Sequence, residues 1–331
     1  MTSGKAENWR PTASRAMLER RAQLLARARR FFAARQVLEV DTPLVVNAPV
    51  SDVHIHSARV ELTAATGPQR HAAPLFLHTS PEYAMKRLLA SGSGDIYQIC
   101  HVVRSFERGP IHNPEFTLIE WYRTGFSLER LMSEVQELVL DLLGPAGASR
   151  SGARITYRDA FRRELQLDPV TVTDAQLAAV ARGFGYASGG PASRDELLEF
   201  LMATRVGPKL GVDGLTFVHG YPASQAALAR VDPMDPAAAL RFELYCDGIE
   251  LANGFHELAS AAEQRMRFEH DVSQRRRLGL PCYPLDENLL TALQSGFPDC
   301  AGVALGFDRL LMLASGARTI EEVLTFPTER A

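Results

Sequence analysis

Cysteine is scarce in this chain. Cys100, Cys246, Cys282 and Cys300 are scattered and no two form a CxxC pair, which argues against a zinc ribbon and offers no disulfide framework. A reducing compartment is the expected home. The sequence also lacks an apolar run long enough to cross a bilayer, and its N-terminus lacks the apolar block of a secretion signal, so a soluble cytoplasmic protein is expected. Charge of one sign is missing too. At a formal net charge of -3, nothing draws the whole molecule to polyanions, and extensive nucleic-acid binding would need a local basic patch. There is no internal repeat or low-complexity tract. What is present is 331 residues at 46% hydrophobic content, enough to bury a large core in one big α/β domain or two modest ones.

The most informative stretch runs from Arg104 to Arg123, RSFERGPIHNPEFTLIEWYR. Phe116 to Tyr122 is rich in aromatic and β-branched residues and reads as a strand, so Phe116, Leu118, Glu120 and Tyr122 share one face. A buried carboxylate without a partner is costly. Glu120 therefore asks for a cation, a metal, several donors or a wet cavity. Ahead of it, Arg104 precedes a loop holding Glu107, Arg108, Gly109, Pro110, His112 and Asn113, and a surface hairpin with a solvated loop would explain the same residues.

Residues 1–13 form a polar leader. From Ser14 to Arg35, Leu18, Leu24, Leu25, Phe31 and Phe32 recur on a broadly helical pattern among many arginines, which predicts a first long helix with a solvated charged face. Val37 to Pro43, VLEVDTP, then reads as a short strand at an edge or terminus. His54 and His56 alternate along Val53 to Val60 and could chelate a metal, but two histidines without a third ligand are more often ordinary surface residues. Pro74 to His78 predicts a strand, and Thr79-Ser80-Pro81-Glu82 has the spacing of a capping box that opens a helix through Tyr83, Met85, Leu88 and Leu89. Such a strand-to-helix junction can also face a ligand. Ser127 to Leu143 is a further amphipathic helix, and residues 144–220, with helical patterns at Asp174 to Arg182 and Ser193 to Thr204, read as an insertion outside the central sheet.

The C-terminal third is denser in signal. Phe242 to Tyr245 and Ile249 to Ala252 flank Asp247-Gly248, a hairpin turn pair. Pairing Cys246 with Ile249 sets Tyr245 opposite Glu250 and Glu243 on the same side as a diagonal neighbour. No lysine or arginine lies in this hairpin, so a hard cation such as Mg²⁺ bridging to phosphate is a sensible third party, unless Glu243 points to water from an edge strand. Glu257 follows, also without a local cation. Gly302 to Gly306 predicts a short strand and Phe307 begins a helix, leaving Arg309 in the first turn, where the dipole disfavours a cation. A phosphate there, approaching over Gly306, would repair the mismatch; Asp308 would do so locally.

VLEVDTP, the stretch from Arg104 through HNPEFTLIEWY, and GVALGFDRLLML resemble the three motifs of the class II aminoacyl-tRNA synthetase core, and ELYCDGIELANGFHEL is similar to the lysine-specific segment before the third. The match runs from about Ser14 to the C-terminus and is most similar to the lysyl-tRNA synthetase paralogues that act on elongation factor P. The resemblance implies an α+β fold, a mostly antiparallel sheet flanked by helices, in a homodimer. Residues 14–331 would form the catalytic domain, with the insertion at 144–220. Only a short leader precedes its first helix, so no anticodon-binding domain and no tRNA partner are expected. Ala304 stands where lysyl-tRNA synthetases usually have glycine and Ser80 where they usually have alanine, both beside the amino-acid pocket.

Carried across motif by motif, the resemblance makes Arg104 and Arg309 catalytic contacts to ATP phosphates. Ser105, Phe106, Glu107, His112, Asn113, Glu250, Leu251 and Gly306 would complete the nucleotide seat, and Glu243 and Glu250 would hold Mg²⁺. Ser80, Pro81 and Glu82 would border one substrate ammonium, with Glu82 binding it. Glu120, Tyr122 and Glu257 would hold the other, Asn253 the carboxylate, beside Ala304. The implied reaction activates β-lysine or lysine as an adenylate and passes it to a lysine of elongation factor P. One departure stands out: the second motif normally reads Arg-Asn-Glu, and Ser105 and Phe106 follow Arg104 here, so the adenine-reading glutamate is missing unless Glu107 shifts into its place. The alternatives are a lysine-activating paralogue acting on tRNA or a small acceptor, and a catalytically silent amino-acid-binding regulator.

Overall fold

In the computed structural model, which describes residues 9–62, 74–147, 150–187, 190, 192–212 and 214–331, the Ser14 hydroxyl caps the first helix by accepting from the Met17 amide. The expected polar leader lies largely outside the described residues. The elements follow as α1 (Arg15–Ala33), β1 (Leu38–Glu39), β2 (Val45–Val46), β3 (Arg59–Val60), β4 (Leu75–Leu77), α2 (Glu82–Ala90), β5 (Ile96–Val103), β6 (Glu115–Thr124) and α3 (Leu128–Leu143). The segment after α3 holds β7 (Ser151–Thr156), α4 (Tyr157–Leu165), α5 (Asp174–Gly183), α6 (Arg194–Leu201) and β8 (Gly214–Pro222). The chain finishes with β9 (Ala238–Cys246), β10 (Ile249–His256), α7 (Ala261–Arg277), α8 (Glu287–Gly296), β11 (Cys300–Gly306) and α9 (Phe307–Ser315).

Among the described residues, eight strands make one sheet in the order β1-β5-β6-β11-β10-β9-β8-β7, and β2, β4 and β3 make a smaller one. Only the two outermost pairings of the large sheet, β1 with β5 and β7 with β8, are parallel. The expected α+β, mostly antiparallel architecture is therefore what the chain adopts, and VLEVDTP supplies an edge strand of which two residues pair. Side chains alternate across the sheet. One face, with Ile119, Trp121, Val303 and Leu305, packs under α1, α3 and α9 in the main core. Helix α3 buries Leu128, Leu131, Val135, Leu138 and Leu142 on one stripe, each contributing roughly 1.5–3 kcal/mol on leaving water. The opposite face is left to line a cavity.

Two expectations need correction. Residues 144–220 are not wholly outside the sheet, because β7 and β8 form its far edge, while their helices gather a separate core around Phe161, Leu177 and Leu201. Glycine and proline clusters marked the loops but hid two strands, of six and nine residues, set among them. The second correction concerns the β9–β10 hairpin, whose turn has positive φ at Asp247 (50°) and Gly248 (75°), as a tight two-residue connection requires. Its register sets Cys246 against Ile249 and Tyr245 against Glu250 as expected, but a bulge between Glu250 and Ala252 then places Asn253 opposite Glu243. Arg241 also lies on β9, so the hairpin does contain a cation. Among the described residues, no helix is long and apolar enough to cross a membrane.

Candidate active site

A cavity of about 980 Å³ opens on the free face of the sheet. Its floor carries Leu118, Glu120 and Tyr122 of β6, Gly302 and Ala304 of β11, and Leu251 and Asn253 of β10. The face shared by Phe116, Leu118, Glu120 and Tyr122 is thus the one the alternation predicted.

The deep end is acidic. Glu120 is 2% exposed and accepts from the Tyr122 hydroxyl at 2.8 Å and from the Ser80 hydroxyl at 2.8 Å. The Thr79-Ser80-Pro81-Glu82 capping box does not form: α2 starts with Pro81 as its N-cap and no side-chain cap bond, and Ser80 Oγ instead receives the Glu82 amide at 3.0 Å. Glu82 is freed for another partner. Lys86, one turn on and 1% exposed, places its ammonium 2.6 Å from Glu82 Oε1 and 2.6 Å from Glu257 Oε2. Glu257, which has no cation local to it in the sequence, meets one from a distant helix. Lys86 is not among the residues the motifs single out; the Glu82/Lys86 spacing of an i,i+4 helix pair is the signal the sequence carries for it.

Burial dominates the electrostatics here. It pushes the Glu120 carboxyl up to about 8, with Glu82 adding to the shift, and the Glu257 carboxyl up to about 7 against the opposing pull of Lys86. Burial disfavours the Lys86 charge, but Glu257 and Glu82 outweigh it and its pKa is raised. Gly302 lets these groups converge: a Cβ there would lie 2.3 Å from Tyr122 Cε1 and 2.5 Å from Glu257 Oε1.

At the other end stand guanidinium groups. Gly306 is the N-cap of α9 and offers no side-chain acceptor, so the helix start leaves free amides beside Arg309. Arg309 donates to the Glu250 carbonyl at 2.9 Å, to the Ile111 carbonyl at 3.3 Å and to His112 Nε2 at 2.6 Å. Burial and the Arg309 charge lower the His112 pKa, which suits it as a neutral acceptor. Asp308 does not neutralise Arg309. Its carboxylate pairs with Arg21 at 2.5 Å and takes the Thr117 amide at 2.6 Å, so Arg309 has no carboxylate partner among the described residues. Arg104 meets Glu107 at 3.3 Å, and Glu107 reaches the cavity as a shifted second-motif glutamate would.

Several predicted residues fall elsewhere. Ser105, Phe106 and Pro81 do not line the cavity; Phe106 is 75% exposed and sits edge-on to His56. Asn113 lines it, but its amide is occupied, donating to the Glu115 carbonyl and accepting from Thr328. Glu243 lies behind the lining, with Oε1 on Arg241 at 2.7 Å and Oε2 on the Tyr221 and Tyr245 hydroxyls at 2.6 Å each. Among the described residues no three His, Cys, Asp or Glu side chains converge as a ready metal cage, the His54 and His56 pair included.

The donor set still fits Mg²⁺ at Glu250. That carboxylate faces the cavity and is pushed up to about 7, first by burial and then by Glu243, so a cation would draw it to the ionised form. Mg²⁺ is commonly held by one or two carboxylates plus phosphate oxygens, and Glu243 would then act from behind unless Arg241 released it. Arg241 also donates to Asn253 Oδ1 at 3.3 Å, which orients the amide expected to meet a substrate carboxylate.

The family model for tRNA synthetases class II (D, K and N) matches residues 6–330. A protein of Vibrio parahaemolyticus named elongation factor P--(R)-beta-lysine ligase is 48% identical over 97% of this chain and 98% of its own. Proteins of the same name from Pasteurella multocida and Klebsiella pneumoniae are each 46% identical, over 98% of this chain and 99% and 98% of theirs. With that match over nearly its whole length, the chain belongs to the class II tRNA synthetase family of the D, K and N type.

Proposed function

We propose that this protein activates (R)-β-lysine with ATP and transfers it to a lysine side chain of elongation factor P. The observation that carries the reading is one cavity with buried carboxylates at one end and, at the other, Arg104 beside Arg309, which has no carboxylate partner among the described residues. The named activity of relatives at 46–48% identity over nearly the full chain supports it.

In this reading the two ammonium groups of the substrate rest against Glu82 and against Glu120, Tyr122 and Glu257, while Asn253, backed by Arg241, meets the carboxylate near Ala304. Arg104 and Arg309 bind the phosphates, and neutral His112 keeps the Arg309 fork in place. Glu250 would hold Mg²⁺, which when bound supplies charge neutralisation to the phosphates. The substrate carboxylate oxygen attacks the α-phosphorus, the bond to the β-phosphate oxygen breaks, and pyrophosphate leaves. A deprotonated lysine ε-amine then attacks the adenylate carbonyl carbon, an amide forms and AMP departs. Holding two reactants in line and stabilising the developing phosphate charge are the contributions this arrangement makes. A second copy would associate through α1 and the exposed edge strand β1, which sedimentation would test.

The experiment is intact-mass analysis of elongation factor P after incubation with the enzyme, ATP and (R)-β-lysine, with tRNA and α-lysine in parallel arms. A gain of one lysyl residue on the factor is expected. Labelling of tRNA alone, or no adenylate formation with any diamino acid, would refute the assignment.

A further inference from the structure

Lys86 is unusual in its setting. The chain has three lysines, Lys5, Lys86 and Lys209, among 36 basic residues, and Lys86 is wholly buried at the end of the cavity that would receive a cation. Its ammonium bridges two carboxylates from elements far apart in the sequence, Glu82 at the start of α2 and Glu257 just beyond β10. An exposed Glu-Lys pair at i,i+4 stabilises a helix only slightly. This pair is dry and carries a third partner. Glu257 Oε2 sits on the Lys86 ammonium at 2.6 Å, and Glu257 also lines the cavity. The bridge therefore leaves acceptor capacity facing inward.

We propose that Lys86 is a positioning residue that decides which diamino acid the pocket takes, because bridging Glu82 and Glu257 sets the separation of the two ammonium seats, an inference that rests on the ligase function proposed above. The two seats lie on different elements, and the ammonium between them ties α2 to the end of β10. With the tie in place, three carboxylates and one resident cation leave a deficit that two substrate ammonium groups fill. β-Lysine and α-lysine differ in how far apart those groups stand, by one methylene. A rigid span tells them apart; a loose one does not. Arg could not replace the lysine in kind, since its planar fork is larger and directs its donors differently.

The test measures pyrophosphate exchange with (R)-β-lysine and α-lysine on the whole protein and on Lys86→Met and Lys86→Gln. The ratio of kcat/KM for the two amino acids should move toward one by about ten-fold or more, a methylene-scale discrimination, while KM for ATP holds. An unchanged ratio, or equal losses for both amino acids and for ATP, overturns the proposal and leaves the ligase function standing. Absence of exchange by the unmodified protein with either amino acid instead removes the ligase function, and the role of Lys86 with it. Should both variants fail to fold, lysine labelled at Cε in the unmodified protein decides: the Lys86 resonance should shift on adding (R)-β-lysine and not on adding ATP, and a resonance indifferent to (R)-β-lysine overturns the proposal.

Discussion

Replacing Gly302 by alanine adds one methyl group at the point where the acidic pocket is tightest. The new Cβ would stand 2.3 Å and 2.4 Å from the Tyr122 ring and 2.5 Å from Glu257 Oε1, well inside contact distance. The sheet backbone cannot retreat easily, because Gly302 is paired with Tyr122 on one side and Phe255 on the other. The Tyr122 ring must rotate away, which ends its 2.8 Å bond to Glu120 Oε1. Overpacking costs about 1–3 kcal/mol, and a buried acceptor left unsatisfied costs about 1–3 kcal/mol more. Taking about 3 kcal/mol on the bound state, KM for the amino acid should rise by about 100-fold, since each factor of ten is about 1.4 kcal/mol. Arg309 and Gly306 lie at the other end of the cavity, so KM for ATP should change less than about three-fold. Pyrophosphate exchange with each substrate varied in turn, beside a melting curve, reads all of this. A folded Gly302→Ala protein with an unchanged amino-acid KM, or with equal losses for both substrates, would refute the reasoning.

Other outcomes follow from the same geometry. Glu120, Glu257 and Glu250 are raised to about 8, 7 and 7 in the folded protein, so the fold binds more protons than the unfolded chain; the stability this lends is present below the ordinary carboxyl value and is lost as pH climbs through 7 to 8. The ligand-free protein should therefore melt at lower temperature as pH goes from 6 to 8.5, diamino-acid binding should tighten over that range, and a melting temperature that rises would contradict the buried carboxylate cluster. Arg309→Ala should slow ATP-dependent adenylate formation by about 100-fold, the effect typical of removing one preorganised donor, with calorimetric binding of the amino acid little altered. Glu243→Gln leaves the Arg241 guanidinium without its carboxylate and should cost about 3 kcal/mol in denaturant melts, whereas Glu250→Gln should spare stability and weaken the dependence of activity on Mg²⁺. Equal destabilisation by the two would mean that Glu250 is structural too.

Some of the site was legible because its signal is local. The run Phe116 to Tyr122 alternates, so Glu120 and Tyr122 had to share a face, and Asp247-Gly248 called for a tight turn whatever surrounded it. Arg309 in a first helical turn was equally plain. Other residues were misjudged where a local pattern had a non-local competitor. Thr79 to Glu82 has capping-box spacing, yet Ser80 spends its hydroxyl on Glu120 from another strand and Glu82 spends its carboxylate on Lys86.

From the order of its residues alone, the chain determined the helices and strands of its motif segments, the turn between β9 and β10, and the family motifs. Those properties depend on neighbours within a few positions. Tertiary structure alone decided that one lysine would stand between Glu82 and Glu257, that Arg241 and two tyrosines would enclose Glu243, and that Asp308 would turn to Arg21, leaving Arg309 without a carboxylate partner among the described residues. The reason is that a charge buried away from water must be met within a few ångströms, and which group meets it depends on the packing of distant segments, a distance that no period in the sequence encodes.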